Sequence, residues 1–284
     1  MWANGYSEAQ LQDMIDLSSK KEIEYSVYND VFVDLFKEYM AIGGMPSVVS
    51  SYIKTGNFKR AFDLQQEILE LYRTDVDVYA KKTMQEKILA CFNSIPDHLM
   101  KDNKKFQFKM VDSKARASTY QGSIDFLKDS EIVFTSHNLT TPVAPLNANM
   151  KENTYKLYMH DPGLLVCMLG EKTQLEILKG NVLTDNGSVI ENTVARMLFD
   201  SGKPLYYYES NSTLNVDFVI NINRKVTPIL VREANNPKSK VLSSLSEKFD
   251  LTTGIKLLSS NNEFQIDENN YPLYLAMYLD EMRH

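Results

Sequence analysis

Apolar residues recur at helical spacing through most of the first half of the chain. Ser7-Glu8-Ala9-Gln10 forms a capping box ahead of Leu11, Met14, Ile15 and Leu17, which predicts an amphipathic helix. A second helix is expected over residues 28–39, with Phe32, Leu35 and Phe36 on one side. Gly43-Gly44-Met45-Pro46 breaks it, since paired glycines allow positive φ and Pro46 suits the first turn of a new helix. That helix carries Val48, Val49 and Tyr52 and stops at Gly56. Residues 58–79 read as one long helix whose apolar stripe is Ala61, Leu64, Ile68, Leu71 and Tyr72. Residues 84–99 follow, with Ile88, Leu89, Phe92 and Ile95 inward and Pro96 interrupting near the end.

Beyond residue 100 the periodicity changes. A helix over 118–128, with Tyr120, Ile124 and Leu127 inward, precedes two strands at 131–135 and 155–159, separated by a polar loop containing Pro142 and Pro145. The last third alternates: a helix at 188–199, strands at 204–208, 215–220, 226–232 and 254–258, and a helix at 239–249 before the last strand. Helix–strand–strand–strand–helix–strand is the order of a small mixed sheet flanked by helices. The boundary in front of it falls around residues 181–187. The fold class expected from the pattern is therefore α+β.

Charge alters the picture in one place. Lys101, Lys104, Lys105, Lys109, Lys114 and Arg116 face only Asp102 and Asp112, a net charge of +4 in a chain whose total is −6. The overall balance excludes a uniformly basic nucleic-acid binder and leaves room for a local basic patch. Helix, basic helix, strand, loop, strand is the order of a winged helix-turn-helix, whose second helix can enter a major groove. Pattern alone favours the plainer alternative, a helical subdomain with a solvated lysine face. Hydrophobic residues at 43% and charged residues at 24% exclude disorder, collagen and a disulfide scaffold. Cys91 and Cys167 lie in apolar stretches without a CxxC spacing and read as reduced core thiols. No apolar run approaches the length of a membrane span and no signal peptide is visible, so the cytoplasm is the expected location.

Few residues suggest chemistry. There is no GxxxxGK[ST] phosphate loop, no GxSxG nucleophile elbow, and no HExxH among His98, His137, His160 and His284. His160 and Asp161 are adjacent, and neighbours on a strand point to opposite faces. Three acid–base positions stand out: Glu191, Asp217 within Val216-Asp217-Phe218-Val219, and Arg232 at the end of Ile229-Leu230-Val231-Arg232. Asp217 and Arg232 are placed for a cross-strand ion pair. Ser188-Val189-Ile190-Glu191 reads as a capping box, which would give the Glu191 carboxylate a helix start to satisfy.

A set of runs in fixed order carries a family resemblance: Trp2-Ala3-Asn4-Gly5-Tyr6, Gly43-Gly44-Met45-Pro46, residues 66–75, Phe92-Asn93-Ser94-Ile95-Pro96 and Lys156-Leu157-Tyr158-Met159-His160-Asp161-Pro162-Gly163-Leu164-Leu165. It continues through Glu191-Asn192-Thr193-Val194-Ala195, Leu205-Tyr206-Tyr207-Tyr208, Val216-Asp217-Phe218-Val219-Ile220 and Pro272-Leu273-Tyr274. The chain resembles the region of unknown function that follows the P-loop domain in bacterial and archaeal AAA-type ATP-binding proteins. The resemblance implies a helical lid at 1–82, a winged-helix domain at 83–180 and a restriction-endonuclease-like α/β domain of the PD-(D/E)xK type at 181–284. It also implies either a fragment or a protein that has lost its engine. ATP and Mg would belong to a domain absent here, and this chain itself is expected to hold no cofactor and no metal.

The nuclease pattern maps onto Glu191, Asp217, Leu230 and Arg232. Leu230 cannot ligate a metal, and Arg232 keeps a charge without being able to cycle a proton. The expected function is a non-catalytic, DNA-interacting or regulatory module of an AAA-type ATPase, with no catalytic residues and with Lys109, Lys114 and Arg116 as the DNA contacts. Its expected partners are double-stranded DNA and an upstream ATPase domain or another protein, with no membrane. A metal-dependent nuclease using Glu191 and Asp217, and a pure protein-interaction module, are the alternatives.

Overall fold

The computed structural model describes residues 2–19, 27–182, 184–210, 214–233, 240–251, 254–259 and 269–282. The fold is α+β, helices together with one mixed sheet of seven strands. Two compact units comprise Met1–Phe36, Ser136–Tyr155 and Met197–His284 on the one hand, and Lys37–Thr135 and Lys156–Arg196 on the other. Neither is a continuous stretch. The chain passes from one to the other inside α2 (Val27–Ile42), β1 (Val133–Leu139), β2 (Met150–Met159) and α11 (Thr184–Asp200).

The first unit opens with α1 (Glu8–Ser19), whose capping box forms as expected: Ser7 N–H donates to Gln10 Oε1 at 2.9 Å and Gln10 N–H to Ser7 Oγ at 3.3 Å. The sheet order is β2-β1-β3-β4-β5-β6-β7. β3 (Leu205–Ser210) pairs in parallel with β1 through Ser136 and Leu205, and antiparallel with β4 (Leu214–Ile222). β4 returns into β5 (Lys225–Glu233) through a two-residue turn in which Asn223 and Arg224 both have positive φ, 47° and 64°. That turn matches the natural twist of a hairpin. β5 and β6 (Ile255–Ser259) are parallel, so a crossover must join them, and α12 (Val241–Phe249) supplies it. Leu242 and Leu245 of α12 join Val216, Val219, Leu230, Tyr206 and Tyr208 in the core. The expected start of that helix at Ser239 lies outside the described residues. β7 (Asn270–Pro272) was not foreseeable from alternation, because three residues carry too little of it. The last helix, α13 (Leu279–Met282), packs against α1.

In the second unit α3 (Pro46–Thr55) and α4 (Phe58–Tyr79) form a helical hairpin, followed by α5 (Gln85–Asn93) and α6 (Ile95–Leu99), which are separated at Ser94 with Pro96 in the first turn of α6. α7 (Phe108–Val111) and α8 (Ala117–Asp129) come next, and α8 packs on α5. Beyond β2 lie α9 (Pro162–Leu169) and α10 (Glu171–Leu178). α4 has the expected bounds and a different buried face. Ala61, Phe62, Gln65, Leu69 and Val76 are buried, whereas Leu71 is 60% exposed. Gln65 explains the mismatch: a polar residue inside the true stripe disguises it. Its Nε2 donates to Ala41 O at 3.1 Å and Ile42 O at 2.8 Å, closing the last carbonyls of α2.

The turn after α2 is built around Asp161. Its carboxylate caps α9 by accepting from Leu164 N–H at 2.9 Å, and it accepts Gly44 N–H at 2.7 Å. Gly43 has φ 78°, and a Cβ there would sit 2.0 Å from Asp161 Oδ1. Gly163 is equally committed, since its Cβ would lie 2.3 Å from the backbone of Ile42. A Cβ on Gly44 would meet only ordinary contacts at 3.7 and 3.8 Å. Gly43→Ala is therefore expected to cost more than about 3 kcal/mol of unfolding free energy, and Gly44→Ala less than about 1 kcal/mol, measured by urea denaturation. Equal effects at the two neighbouring glycines would contradict this packing.

Candidate functional site

Glu191 stands in the middle of α11, not at its start. The helix begins at Thr184, so Ser188 is an interior residue, and the capping-box reading of Ser188 and Glu191 is corrected. The side chain of Glu191 is instead buried against β2 and the segment before α7. Lys156 Nζ donates to Oε1 at 2.7 Å, Tyr158 Oη donates to the same oxygen at 2.6 Å, and Lys104 Nζ lies 3.4 Å from Oε2. Lys156 and Tyr158 reach one carboxylate because residues two apart on a strand share a face. Lys104 gets there through an antiparallel bridge between Lys105 and Lys156, with Lys104 itself in the left-handed region at φ 49°.

Burial alone would raise the Glu191 pKa, but the charges of Lys156 and Lys104, with the Lys156 and Tyr158 hydrogen bonds, bring it down to about 2. The next residue, Asn192, fastens the same strand. Its Oδ1 accepts Met159 N–H at 2.8 Å and its Nδ2 donates to Met159 O at 3.0 Å. His98 holds the segment from the other side, with its ring nitrogens 2.7 Å from Ser94 O and 3.1 Å from Gln107 O and its ring stacked on Phe106. The sequence offered a signal for these partners in the polar Lys156 and Tyr158 alternating within an apolar strand. Lys104 carried none, because it is indistinguishable from its solvated neighbours in the basic run.

Asp217, Leu230 and Arg232 lie in the first unit. The ladder between β4 and β5 ends at Phe218 and Ile229, and beyond it the Asp217 carboxylate takes over. Its Oδ2 accepts Val231 N–H at 2.8 Å and Arg232 Nη1 at 2.8 Å, the ion pair expected from strand parity. Leu230 is wholly buried in the core cluster. The structure thus joins Asp217 to Arg232, while Glu191 finds its own cations in the second unit.

The basic run divides. Lys104 is consumed by Glu191, whereas Lys109, Lys114 and Arg116 are exposed. Arg116 is the N-cap of α8, which has no side-chain cap and no acidic residue in its first turn. Arg116 therefore stands at the positive end of a helix dipole, with Lys114 two residues ahead of it and Lys109 in the preceding helix α7. Asp112 sits among them, accepting Lys114 N–H at 2.8 Å. His160 and Asp161 form no dyad: Asp161 caps α9, and His160 Nδ1 accepts a hydrogen bond from Arg196. Burial and then the Arg196 charge push the His160 pKa down to about 4. His284 lies outside the described residues. Among the described residues no group of His, Cys, Asp and Glu could hold a metal ion, and no helix is long and apolar enough to cross a membrane.

Residues 33–175, half of the chain, match the family model described as domain of unknown function DUF8612. The chain belongs to that family. Residues 186–278 of this DUF8612 chain match a second model, domain of unknown function DUF4143, which takes in Glu191, Asp217, Leu230 and Arg232. Comparison with curated proteins and with solved structures gave no match.

The Glu191 cluster makes a pH-dependent contribution of known sign. A carboxyl lowered from its ordinary 4.5 to about 2 stabilises the fold fully above pH 4.5 and loses that contribution as pH falls towards 2. Glu191→Gln should cost about 3–5 kcal/mol at neutral pH, because it takes the counter-charge from two buried ammonium groups. It should also flatten the decline between pH 4.5 and 2 in a denaturant series. A variant curve running parallel to that of the unsubstituted protein would overturn the assignment.

Proposed function

We propose that this DUF8612 chain is a non-catalytic, DNA-contacting or regulatory module of an AAA-type ATPase system, with a winged-helix-like part and a nuclease-like α/β part whose metal chemistry is lost. The observation that carries the reading is the exposure of Lys109, Lys114 and Arg116 in the segment that leads into the uncapped N-terminus of α8. Backbone N–H groups, the helix dipole and three exposed cations together suit the phosphates of a duplex. Phosphate contacts orient a protein on DNA without reading sequence, so this surface would bind duplexes broadly. The motif order across the chain and the DUF4143 match, a region associated with AAA-type ATPases, support the context.

The α/β part supports the non-catalytic half of the reading. Metal-assisted hydrolysis needs carboxylate oxygens left open to a cation. Asp217 is held by a guanidinium and a backbone N–H, and Leu230, the residue two before Arg232 on the same face of β5, is sealed in the core. Glu191 is engaged by two ammonium groups and a phenol.

Fluorescence anisotropy with a labelled duplex over a salt series tests the proposal. Affinity should fall steeply with salt, and replacing Lys109, Lys114 and Arg116 together by Glu should remove roughly 2–3 from the slope of log K against log salt. An unchanged slope, or binding that ignores salt, would sink the DNA reading. Incubation of plasmid with Mg²⁺ or Mn²⁺ should leave it intact; cleavage abolished by Asp217→Asn would restore the nuclease alternative.

A further inference from the structure

Residues 105–109 read Lys-Phe-Gln-Phe-Lys, and the two rings belong to a chain of aromatic contacts that crosses from α6 to α8. His98 of α6 stacks on Phe106 with 4.3 Å between ring centroids. Phe106 meets Phe108, the first residue of α7, edge-on at 5.3 Å, and Phe108 meets Tyr120 of α8 at 6.3 Å. Lys87 of α5 ends the chain, its Nζ 5.4 Å from the centre of the Tyr120 ring. The rings stand apart from the buried side of these helices. α5 buries Ile88, Cys91 and Phe92, and α8 buries Ser123, Ile124 and Leu127. α7 buries no residue, although three of its four are apolar. His98, at the inner end of the chain, is fully buried, whereas Phe106, Phe108 and Tyr120 each keep part of their surface in water.

Cations alternate with these rings. Lys105 and Lys109 flank the two phenylalanines in sequence, Lys87 lies on Tyr120, and Lys114 and Arg116 lead into α8. Asp112 lies among them, accepting Lys114 N–H at 2.8 Å and Tyr120 Oη at 3.5 Å. A duplex offers its phosphates to such a surface and keeps the faces of its bases inside the stack, so cations alone suffice for it. Partly exposed rings between cations suit a strand whose bases are unpaired, because every base has a π-face and every linkage a phosphate. We propose, resting on the DNA-contacting reading of the same segment, that this surface takes single-stranded DNA. Bases stack on Phe108 and Tyr120 while phosphates meet Lys109, Lys114 and Arg116. Phe106, covered on one face by His98, backs Phe108.

Fluorescence anisotropy of the full chain with three labelled probes of equal length provides the test: an oligothymidine strand, an abasic strand and a duplex. The oligothymidine should bind about tenfold more tightly than the abasic strand, which carries the same phosphates without bases. Phe108→Leu and Tyr120→Leu keep an apolar side chain at each position. Each should erase most of that preference while leaving the salt slope and the duplex affinity unchanged. Equal affinity of the unsubstituted chain for the oligothymidine and abasic strands overturns the proposal and leaves the electrostatic DNA reading standing. So does a preference for bases that survives both substitutions. Binding to none of the three probes removes the DNA reading itself, and this proposal with it.

Discussion

A carboxylate removed from water must be neutralised, and in the second unit that requirement is met at Glu191 by groups from three separate parts of the sequence. Lys156 and Tyr158 come from β2, Lys104 from the segment before α7, and the carboxylate itself from α11. Removing the carboxylate takes the counter-charge from two buried ammonium groups, in a medium where an unpaired ion costs several kcal/mol. The cluster therefore demands that β2, the 104–108 segment and α11 all be in place together. Asn192 and the Lys105–Lys156 bridge reinforce the same junction by occupying backbone groups along β2.

Local features were legible where the physics is local. The capping box at Ser7, the Gly43-Gly44 turn, the bounds of α4, the break at Ser94 ahead of Pro96 and the Asp217–Arg232 pair all follow from spacing of a few residues or from strand parity. The misreadings share one cause, namely that burial is decided by partners far away in sequence. Gln65 breaks the apolar pattern of α4's inward face because its partners are carbonyls of α2, more than 20 residues earlier. Glu191 looked like a helix cap because Ser188 lies three residues before it, and Lys104 looked solvated because its neighbours are. Nothing within ten residues of either announces the pairing, which spans 87 positions in the one case and, for Lys156, 35.

The two acidic positions singled out by the nuclease resemblance are resolved by the same physical device. Where a divalent ion would supply positive charge, the protein supplies it covalently: an arginine at Asp217 and two lysines at Glu191. A guanidinium is planar, permanently charged and satisfied by a carboxylate, and it also donates to Val231 O at 2.6 Å, so Arg232 works as a clamp across the end of the β4–β5 ladder. Both acids thus have structural partners. Asp217 substitutes for a missing ladder hydrogen bond, and Glu191 ties a strand to a helix.

Leu230 ties the proposed absence of metal chemistry to the packing and not to one side chain. It sits at zero exposure among Tyr206, Val219, Leu242 and Leu245, on a strand hydrogen-bonded on both edges. A carboxylate at that point would have to be desolvated among apolar groups, and it would be driven to stay protonated rather than to ligate a cation. A metal centre at that point would require water to reach residue 230, which means withdrawing part of α12 from β4. That helix is the crossover on which the parallel pairing of β5 and β6 depends, so the same contacts that complete the α/β core stand in the way of a metal-binding one.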